Sequence, residues 1–247
     1  MQLPGEMRLL GRLVEASNAT FLAELDGQRV VYKPTAGEAP LRDFPDHTLG
    51  RREVAAHELS SALGLNVVPR TWWVEDAPLG PGSVQEWVEA LEQELVELCL
   101  LDEVEQDWFA LVVGLDEQDR EIALAHADHP GLRRLALFDL VANNADRKIG
   151  HLLVPGGDEL VLGVDHGITF HPLDKLRTVL WGWAGEPLTD EEAAVLAAVE
   201  GIADQALSPW LRPVEVEATV ERSEALLRQG LWPELPSDRY PIPWPVH

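Results

Sequence analysis

The stretch NNADRKIGH, residues 143–151, joins two apolar segments and carries a set of charges that is unusual for such a junction. LRRLALFDLVA precedes it, and the short apolar run LLV follows it. Loops between apolar segments are usually built from Gly, Pro, Ser and Asn. Here Asp146 is followed by two cations, Arg147 and Lys148. This junction is therefore a candidate site for chemistry.

The composition is that of a folded globular protein. The chain has 247 residues, of which 46% are hydrophobic and nine are Trp, which argues against disorder. Its single cysteine, Cys99, has no partner for an internal disulfide, and no N-terminal run has the pattern of a signal peptide. No apolar run approaches the roughly 20 residues that cross a bilayer. We expect a cytoplasmic protein without a membrane span.

The charge balance narrows the possible partners. Nineteen Lys and Arg against 43 Asp and Glu give a net charge of −24. Such a chain repels nucleic acid and anionic membrane surfaces, so we expect no nucleic-acid partner and no stable membrane association. Only three of the nineteen cations are lysines, Lys33, Lys148 and Lys175. In a chain that otherwise uses arginine, each lysine is a candidate for a role that arginine does not fill.

Residues 1–88 are predicted to form a small β-rich lobe. Three β-rich runs separated by turn residues predict a meander of strands, and two more strands follow a helix. The lobe would therefore contain a five-stranded sheet and one helix. Lys33 ends the third predicted strand, and Glu53 lies in the first half of the helix.

Residues 89–247 are predicted to form a mostly helical lobe, so the fold class is α+β. ALEQELVELCLL, EQDREIALAHA and GLRRLALFDLVA are interpreted as helices, and HLLV and ELVLGV as a strand pair. Two further helices are predicted in DEEAAVLAAVEGIADQAL and PVEVEATVERSEALLRQG.

The order of polar motifs is the one in which kinases arrange their catalytic and metal-binding loops. Asp146 lies in a loop after an apolar helix, His151 follows five positions later, and Asp165-His166-Gly167 ends the strand pair. One carboxylate is needed to accept or orient the proton of the attacking hydroxyl, and another to hold the divalent ion that bridges the nucleotide phosphates. Lys33 and Glu53 match the lysine that contacts the α- and β-phosphates and its glutamate partner.

These stretches resemble a known family. YKP (32–34), REVAAHELSSALGL (52–65), FDLVANNADRKIGHLLV (138–154) and VDHGITF (164–170) are similar to the phosphatidylinositol 3- and 4-kinase-like group, nearest to the type II phosphatidylinositol 4-kinases and their bacterial relatives. The resemblance covers roughly residues 7 to 170 and implies a bilobal protein-kinase-like fold that uses ATP and a divalent cation, Mg²⁺ or Mn²⁺.

The same resemblance implies roles for individual residues. Asp146 would be catalytic and Asp165 would be a metal ligand. Lys33 would bind ATP with Glu53 as its partner. Lys148 either neutralises the transferred phosphoryl group or only pairs with Asp146.

Two departures from the family pattern affect the site. His151 stands where the family usually has an Asn as second metal ligand, and imidazole suits Mn²⁺ better than Mg²⁺. The loop EASNAT, residues 15–20, has no glycine where a glycine-rich loop should cover the phosphates, which leaves Ser17 and Asn18 as candidate phosphate ligands.

The strand that ends in GSVQEWVE matches the connection between lobes. Backbone groups of Glu86 and Val88 are the candidates for contacting the adenine edge.

Three functional interpretations remain open at this stage. The first is an ATP-dependent phosphotransferase whose acceptor is a hydroxyl on a protein, including itself, or on a soluble small molecule. The second is a nucleotide-binding pseudokinase with a regulatory role. The third is a metal-dependent hydrolase built on His151, His166 and His171.

Overall fold

The computed structural model describes residues 6–13, 18–91, 94–156 and 159–246. A β-rich N-terminal part is followed by a part dominated by three helices, which confirms the predicted α+β class. In the described residues, no helix combines the length and the apolar character needed to cross a membrane.

An antiparallel five-stranded sheet with the order β1-β2-β3-β5-β4 forms the N-terminal part. Its strands are β1 (Arg8–Leu13), β2 (Thr20–Leu25), β3 (Gln28–Pro34), β4 (Thr71–Val74) and β5 (Gly82–Glu86). Asp26 and Gly27 both have positive φ, the two-residue turn geometry that matches the twist of a hairpin. This turn fixes the register of β3 and places Lys33 opposite Ser83, near the end of the strand.

Helix α1 (Leu49–Ala62) lies between the sheet and the rest of the chain. It contacts β4 and β5 on one side and a C-terminal helix on the other. The carboxylate of Glu38 accepts the backbone N–H groups of Leu49 and Gly50 at 3.1 and 2.9 Å, which satisfies two unpaired donors at the helix start. Glu53, Val54 and Ala55 are buried, so the helix directs Glu53 inward.

Two of the predicted helices are wrong. The segments ALEQELVELCLL and EQDREIALAHA contain β6 (Val96–Leu100) and β8 (Glu121–Ala127). With β7 (Trp108–Leu115) they form an antiparallel three-stranded sheet of order β6-β8-β7. Glu, Leu and Ala favour helices in isolation, but short apolar runs do not distinguish helix from strand, and cross-strand packing overrides the local preference.

The remaining helices are α2 (Pro130–Ala142), α3 (Asp190–Leu207) and α4 (Pro213–Gln229). The short strands β9 (Leu152–Leu153) and β10 (Leu162–Gly163) pair antiparallel after α2. Helix α2 is buried along most of its length, and residues of α1, α2, α3 and α4 share one hydrophobic core. The loop of residues 143–151 therefore starts from a fixed point, the end of the buried helix α2.

Candidate active site

Three charged side chains meet between the N-terminal sheet and the loop after β10. Lys33 Nζ donates to Glu53 Oε1 and lies 2.8 Å from Asp165 Oδ1. The second oxygen of Glu53 accepts the backbone N–H of His166 at 3.0 Å. Elements 132 residues apart in the sequence thus supply one ion cluster. The structure brings the predicted Lys33, Glu53 and Asp165 together.

The cluster shifts the pKa values of its members. Burial alone would lower the pKa of Lys33, but the carboxylates of Asp165 and Glu53 raise it above its ordinary value. The Lys33 ammonium lowers the pKa of Asp165 well below its usual range, against the effect of burial. Burial raises the pKa of Glu53, and Lys33 opposes that rise. Asp165 therefore remains an anion that a cation can approach.

Asp165 also has an uncommon backbone conformation. Its φ is +59°, in the left-handed region that Asp tolerates better than most residues. Side chains held in such conformations cluster at functional sites. Gly167 follows two residues later and lies against α1, where an added Cβ would be 3.4 Å from Leu49 Cβ. The bond from the His166 N–H to Glu53 therefore holds the Asp-His-Gly turn close against α1.

Asp146 and Lys148 lie in the loop after α2 and form an ion pair. Lys148 Nζ is 3.3 Å from Asp146 Oδ2, and both side chains are partly accessible. The backbone N–H of Asp146 donates to Asn144 Oδ1 at 3.0 Å, which holds the loop in its turn. Burial raises the pKa of Asp146, and Lys148 counteracts this. Asp146 is thus a half-buried carboxylate within reach of solvent.

His151 faces Asp165. Its Nε2 lies 3.5 Å from Asp165 Oδ2. Burial lowers the pKa of His151 to about 4, so the ring is neutral at physiological pH, which is the form that binds metals. Within the described residues, no group of three or more His, Cys, Asp and Glu has the arrangement of a complete metal site. Asp165 and His151 thus offer two neighbouring candidate ligands, a carboxylate oxygen and a neutral ring nitrogen.

A buried network supports both loops, and the sequence analysis did not identify it. Arg147 donates to both carboxylate oxygens of Asp139, each at 2.9 Å, and all of these side-chain atoms are buried. It also donates to Val164 O at 2.8 Å and lies 2.7 Å from His166 Nε2. Because a guanidinium only donates, His166 Nε2 must accept. Arg147 therefore links α2 and the loop of Asp146 to the loop of Asp165.

Gly163 permits this arrangement. A Cβ at position 163 would lie 2.7 Å from Nη2 of Arg147 and 2.8 Å from Leu135 Cδ1.

The ion pair of Asp139 and Arg147 could have been predicted from the sequence. Asp139 is a charged residue in an apolar helix, which requires a partner, and Arg147 follows eight residues later.

The residues that are predicted to contact the nucleotide do not form one cluster. Ser17 lies outside the described residues. Asn18 Oδ1 accepts the backbone N–H of Ala39 at 2.7 Å, so this oxygen fastens the β1–β2 loop to the segment after β3. The N–H of Glu86 donates to Arg70 O at 2.9 Å, which leaves only its carbonyl for adenine. Val88 lies two residues beyond β5 and is half-buried. Their contacts with ATP stay predictions.

The histidine-based hydrolase interpretation is not supported. His166 is buried against Arg147, whereas His171 packs edge-on against Phe44 and accepts the N–H of Leu173 at 3.0 Å. His151 faces Asp165 instead. These three described histidines do not form a metal-binding group.

No protein-family model matches the chain. A solved structure of Fam20 from hydra, determined with sugar, gives a TM-score of 0.56 at 14% identity and covers 92% of this chain and 85% of that chain. The structure of the proinflammatory kinase CtkA from Helicobacter pylori gives a TM-score of 0.48 at 10% identity, covering 92% and 93% of the two chains.

The similarity to Fam20 concerns the fold alone, and it confirms the predicted bilobal protein-kinase-like fold. A much closer similarity is to protein Rv2133c of Mycobacterium tuberculosis, which is 43% identical over 263 aligned positions that cover 98% of this chain and 92% of that protein. With this identity along nearly its whole length, the chain belongs to the same protein family as Rv2133c.

Proposed function

We propose that the protein is an atypical kinase that transfers the γ-phosphoryl group of ATP to a hydroxyl group. The observation that carries this proposal is Lys33, which contacts both Glu53 and Asp165 in a kinase-like fold. A lysine on the third strand, a glutamate on the following helix and an aspartate before Gly are the groups that kinases use to hold the α- and β-phosphates and the metal.

Asp146 supplies the acid–base chemistry in this proposal. The acceptor oxygen attacks the γ-phosphorus, the bond to the β–γ bridging oxygen breaks, and ADP leaves with that electron pair. Asp146 takes or orients the proton of the hydroxyl. Lys148, 3.3 Å from Asp146, offsets negative charge on the transferred group. Asp165 and His151 would hold the divalent ion, which would supply neutralisation of the phosphate charge.

The acceptor is a hydroxyl on a protein, including this one, or on a soluble small molecule. The resemblance of residues 32–34, 52–65, 138–154 and 164–170 to the phosphatidylinositol 3-/4-kinase-like group would suggest a lipid acceptor. A net charge of −24 without a basic tract opposes approach to an anionic bilayer. We therefore favour a soluble acceptor, although the sequence motifs resemble those of lipid kinases.

Vesicle binding provides the test of this acceptor class. We expect no association with vesicles that contain phosphoinositide at physiological salt, measured by co-sedimentation, because the surface charge of the protein and the lipid have the same sign. Vesicles of neutral lipid serve as the control. Strong sedimentation with the phosphoinositide vesicles alone would contradict a soluble acceptor.

A pseudokinase is the second candidate function. It is favoured by His151 in place of the usual Asn and by the absence of glycine in residues 15–20. A nucleotide thermal-shift assay followed by turnover of radiolabelled ATP separates the two. Stabilisation by ATP with turnover indicates the kinase, whereas stabilisation without turnover indicates the pseudokinase. The absence of both would contradict a nucleotide-based function altogether.

The metal preference tests the place of His151. Activity should be greater with Mn²⁺ than with Mg²⁺ at equal concentration, because imidazole is a better ligand for Mn²⁺. His151→Asn should shift the ratio toward Mg²⁺, and His151→Ala should raise the metal concentration that is required. The measurement is the ratio of initial rates with the two ions for all three proteins. An unchanged ratio would exclude His151 as a metal ligand.

A further inference from the structure

The segment after Gly167 returns to the loop of Asp146. Arg177 N–H donates to Asn144 O at 2.9 Å, and Arg147 N–H donates to Arg177 O at 2.9 Å. Arg147 and Thr178 form a parallel β-bridge, and both of their side chains are buried. Since side chains alternate along extended backbone, Asp146 and Arg177, one residue earlier in each segment, point to the opposite face. This face is the accessible one, because Asp146 is half-buried and Arg177 is exposed.

Arg177 is not neutralised by an ion pair there. In the described parts of the chain, no carboxylate lies within 4.0 Å of its guanidinium, although the chain has 43 Asp and Glu. Its charge nevertheless reaches Asp146, since Arg177 helps Lys148 to oppose the rise in the pKa of that carboxyl caused by burial. An accessible guanidinium thus lies beside the proposed catalytic carboxylate.

Other cations border the same region. Lys148 pairs with Asp146, and Lys175 N–H is held by Asn143 Oδ1 at 2.9 Å while its Nζ pairs with Asp43 at 2.6 Å. All three lysines of the chain therefore lie at or beside the site. Each of these lysines is paired with a carboxylate, whereas the Arg177 guanidinium has no such partner within 4.0 Å among the described residues. Arg177 is therefore the cation of this region that can take a further anion.

We propose that Arg177 binds an oxyanion carried by the acceptor, so that the acceptor is a soluble alcohol bearing a phosphate or carboxylate group. This inference rests on the proposed function. The planar guanidinium offers two parallel donors that match a phosphate or a carboxylate. The proposed function assigns Lys148 to the transferred phosphoryl group. Arg177 is then available to bind a second anionic group on the acceptor. It would place the hydroxyl next to Asp146.

The test measures anion binding directly. Protein is first titrated with a nonhydrolysable ATP analogue and Mn²⁺, and the melting temperature is recorded. Sulfate, ribose 5-phosphate or gluconate is then added, with ribose, glucose and sodium chloride of equal ionic strength as neutral and salt controls. We expect the three anions, and not the controls, to raise the melting temperature of the wild-type protein.

The variants assign the effect to Arg177. Arg177→Gln should weaken binding of the three anions by about 10- to 100-fold, the usual effect of losing hydrogen bonds to a charged group. Arg177→Lys, which keeps the charge but not the two parallel donors, should fall in between. Arg134→Gln, another exposed arginine without an ion pair among the described residues, should bind the anions as the wild type does.

Two negative results have different meanings. Equal anion binding by the wild type and Arg177→Gln, or no anion binding by the wild type, would overturn the role of Arg177. Absence of any shift with the nucleotide analogue would overturn the proposed function instead. In that case the anion titration of the free protein still decides whether Arg177 forms an oxyanion site.

Discussion

Replacing Asp146 by Asn should reduce phosphoryl transfer by roughly 10²- to 10⁴-fold and leave ATP binding nearly intact. The amide has the shape of the carboxylate but cannot accept the hydroxyl proton. The loop should keep its conformation, because Asn144 holds the backbone N–H of Asp146 and not its side chain. The measurement is transfer from radiolabelled ATP, with ATP binding followed by thermal shift. Turnover by the Asn variant at the wild-type rate would contradict the mechanism.

Lys33→Met is the companion variant, and it should weaken both nucleotide binding and turnover. Methionine fills a similar volume but leaves buried Glu53 without its cation. A matched control is Arg8→Met, which removes a cation from the same sheet but only from an exposed pair with Glu24 at 3.2 Å. Retention of full ATP affinity by Lys33→Met would place the nucleotide elsewhere.

Glu215→Gln should lower the free energy of unfolding by about 3–5 kcal/mol, the usual cost of breaking a buried ion pair from one side. Glu215 on α4 accepts from Arg52 on α1, and both side chains are almost fully buried. Arg52 also donates to Thr169 O at 2.7 Å. Removal of the carboxylate leaves the Arg52 charge inside the protein without its counter-ion. Urea unfolding followed by Trp fluorescence measures the loss.

Helix α4 provides its own control. Glu224 pairs with Arg228 at 3.3 Å on the exposed face, and Glu224→Gln should cost less than about 1 kcal/mol. If Glu215→Gln and Glu224→Gln lower the free energy of unfolding by similar amounts, the buried pair stabilises the protein no more than the exposed pair.

The pH dependence gives a second measure of the same pair. Burial raises the pKa of Glu215, but the hydrogen bonds from Arg212 and Arg52 have the larger combined effect. The pKa of Glu215 is therefore lowered below its ordinary value of 4.5. A lowered carboxyl pKa means that the stabilisation is complete above that ordinary value and is lost as the pH falls through the lowered one. The difference between wild type and Glu215→Gln should therefore shrink only in acid.

The candidate site was largely predictable because short motifs fix local geometry. Asp146 and His151 follow a buried helix, and Asp165 follows a strand pair. This order along the chain indicated a kinase-like site. Lys33 could be matched with Glu53 because the strand and the helix that follow each other in sequence also pack together. The roles of these residues remain proposals.

What the sequence did not reveal depends on contacts across long separations. Arg52 and Glu215 are 163 residues apart, and no sequence motif indicates that they form a pair. Arg177 gains its position from backbone bonds to Asn144 and Arg147 that only the folded chain provides. The strands β6 and β8 were mistaken for helices because their partner strands supply the preference that their own residues lack.

The double contact of Lys33 explains how two carboxylates, Glu53 and Asp165, can lie close together in the candidate site. Asp165 and Glu53 would repel each other if both were ionised and alone, yet the ammonium of Lys33 lies against both. In the proposed kinase, a divalent ion would have to compete with this tethered ammonium for Asp165, whereas a nucleotide would offer Lys33 new anions in exchange. We therefore expect metal and nucleotide to bind together.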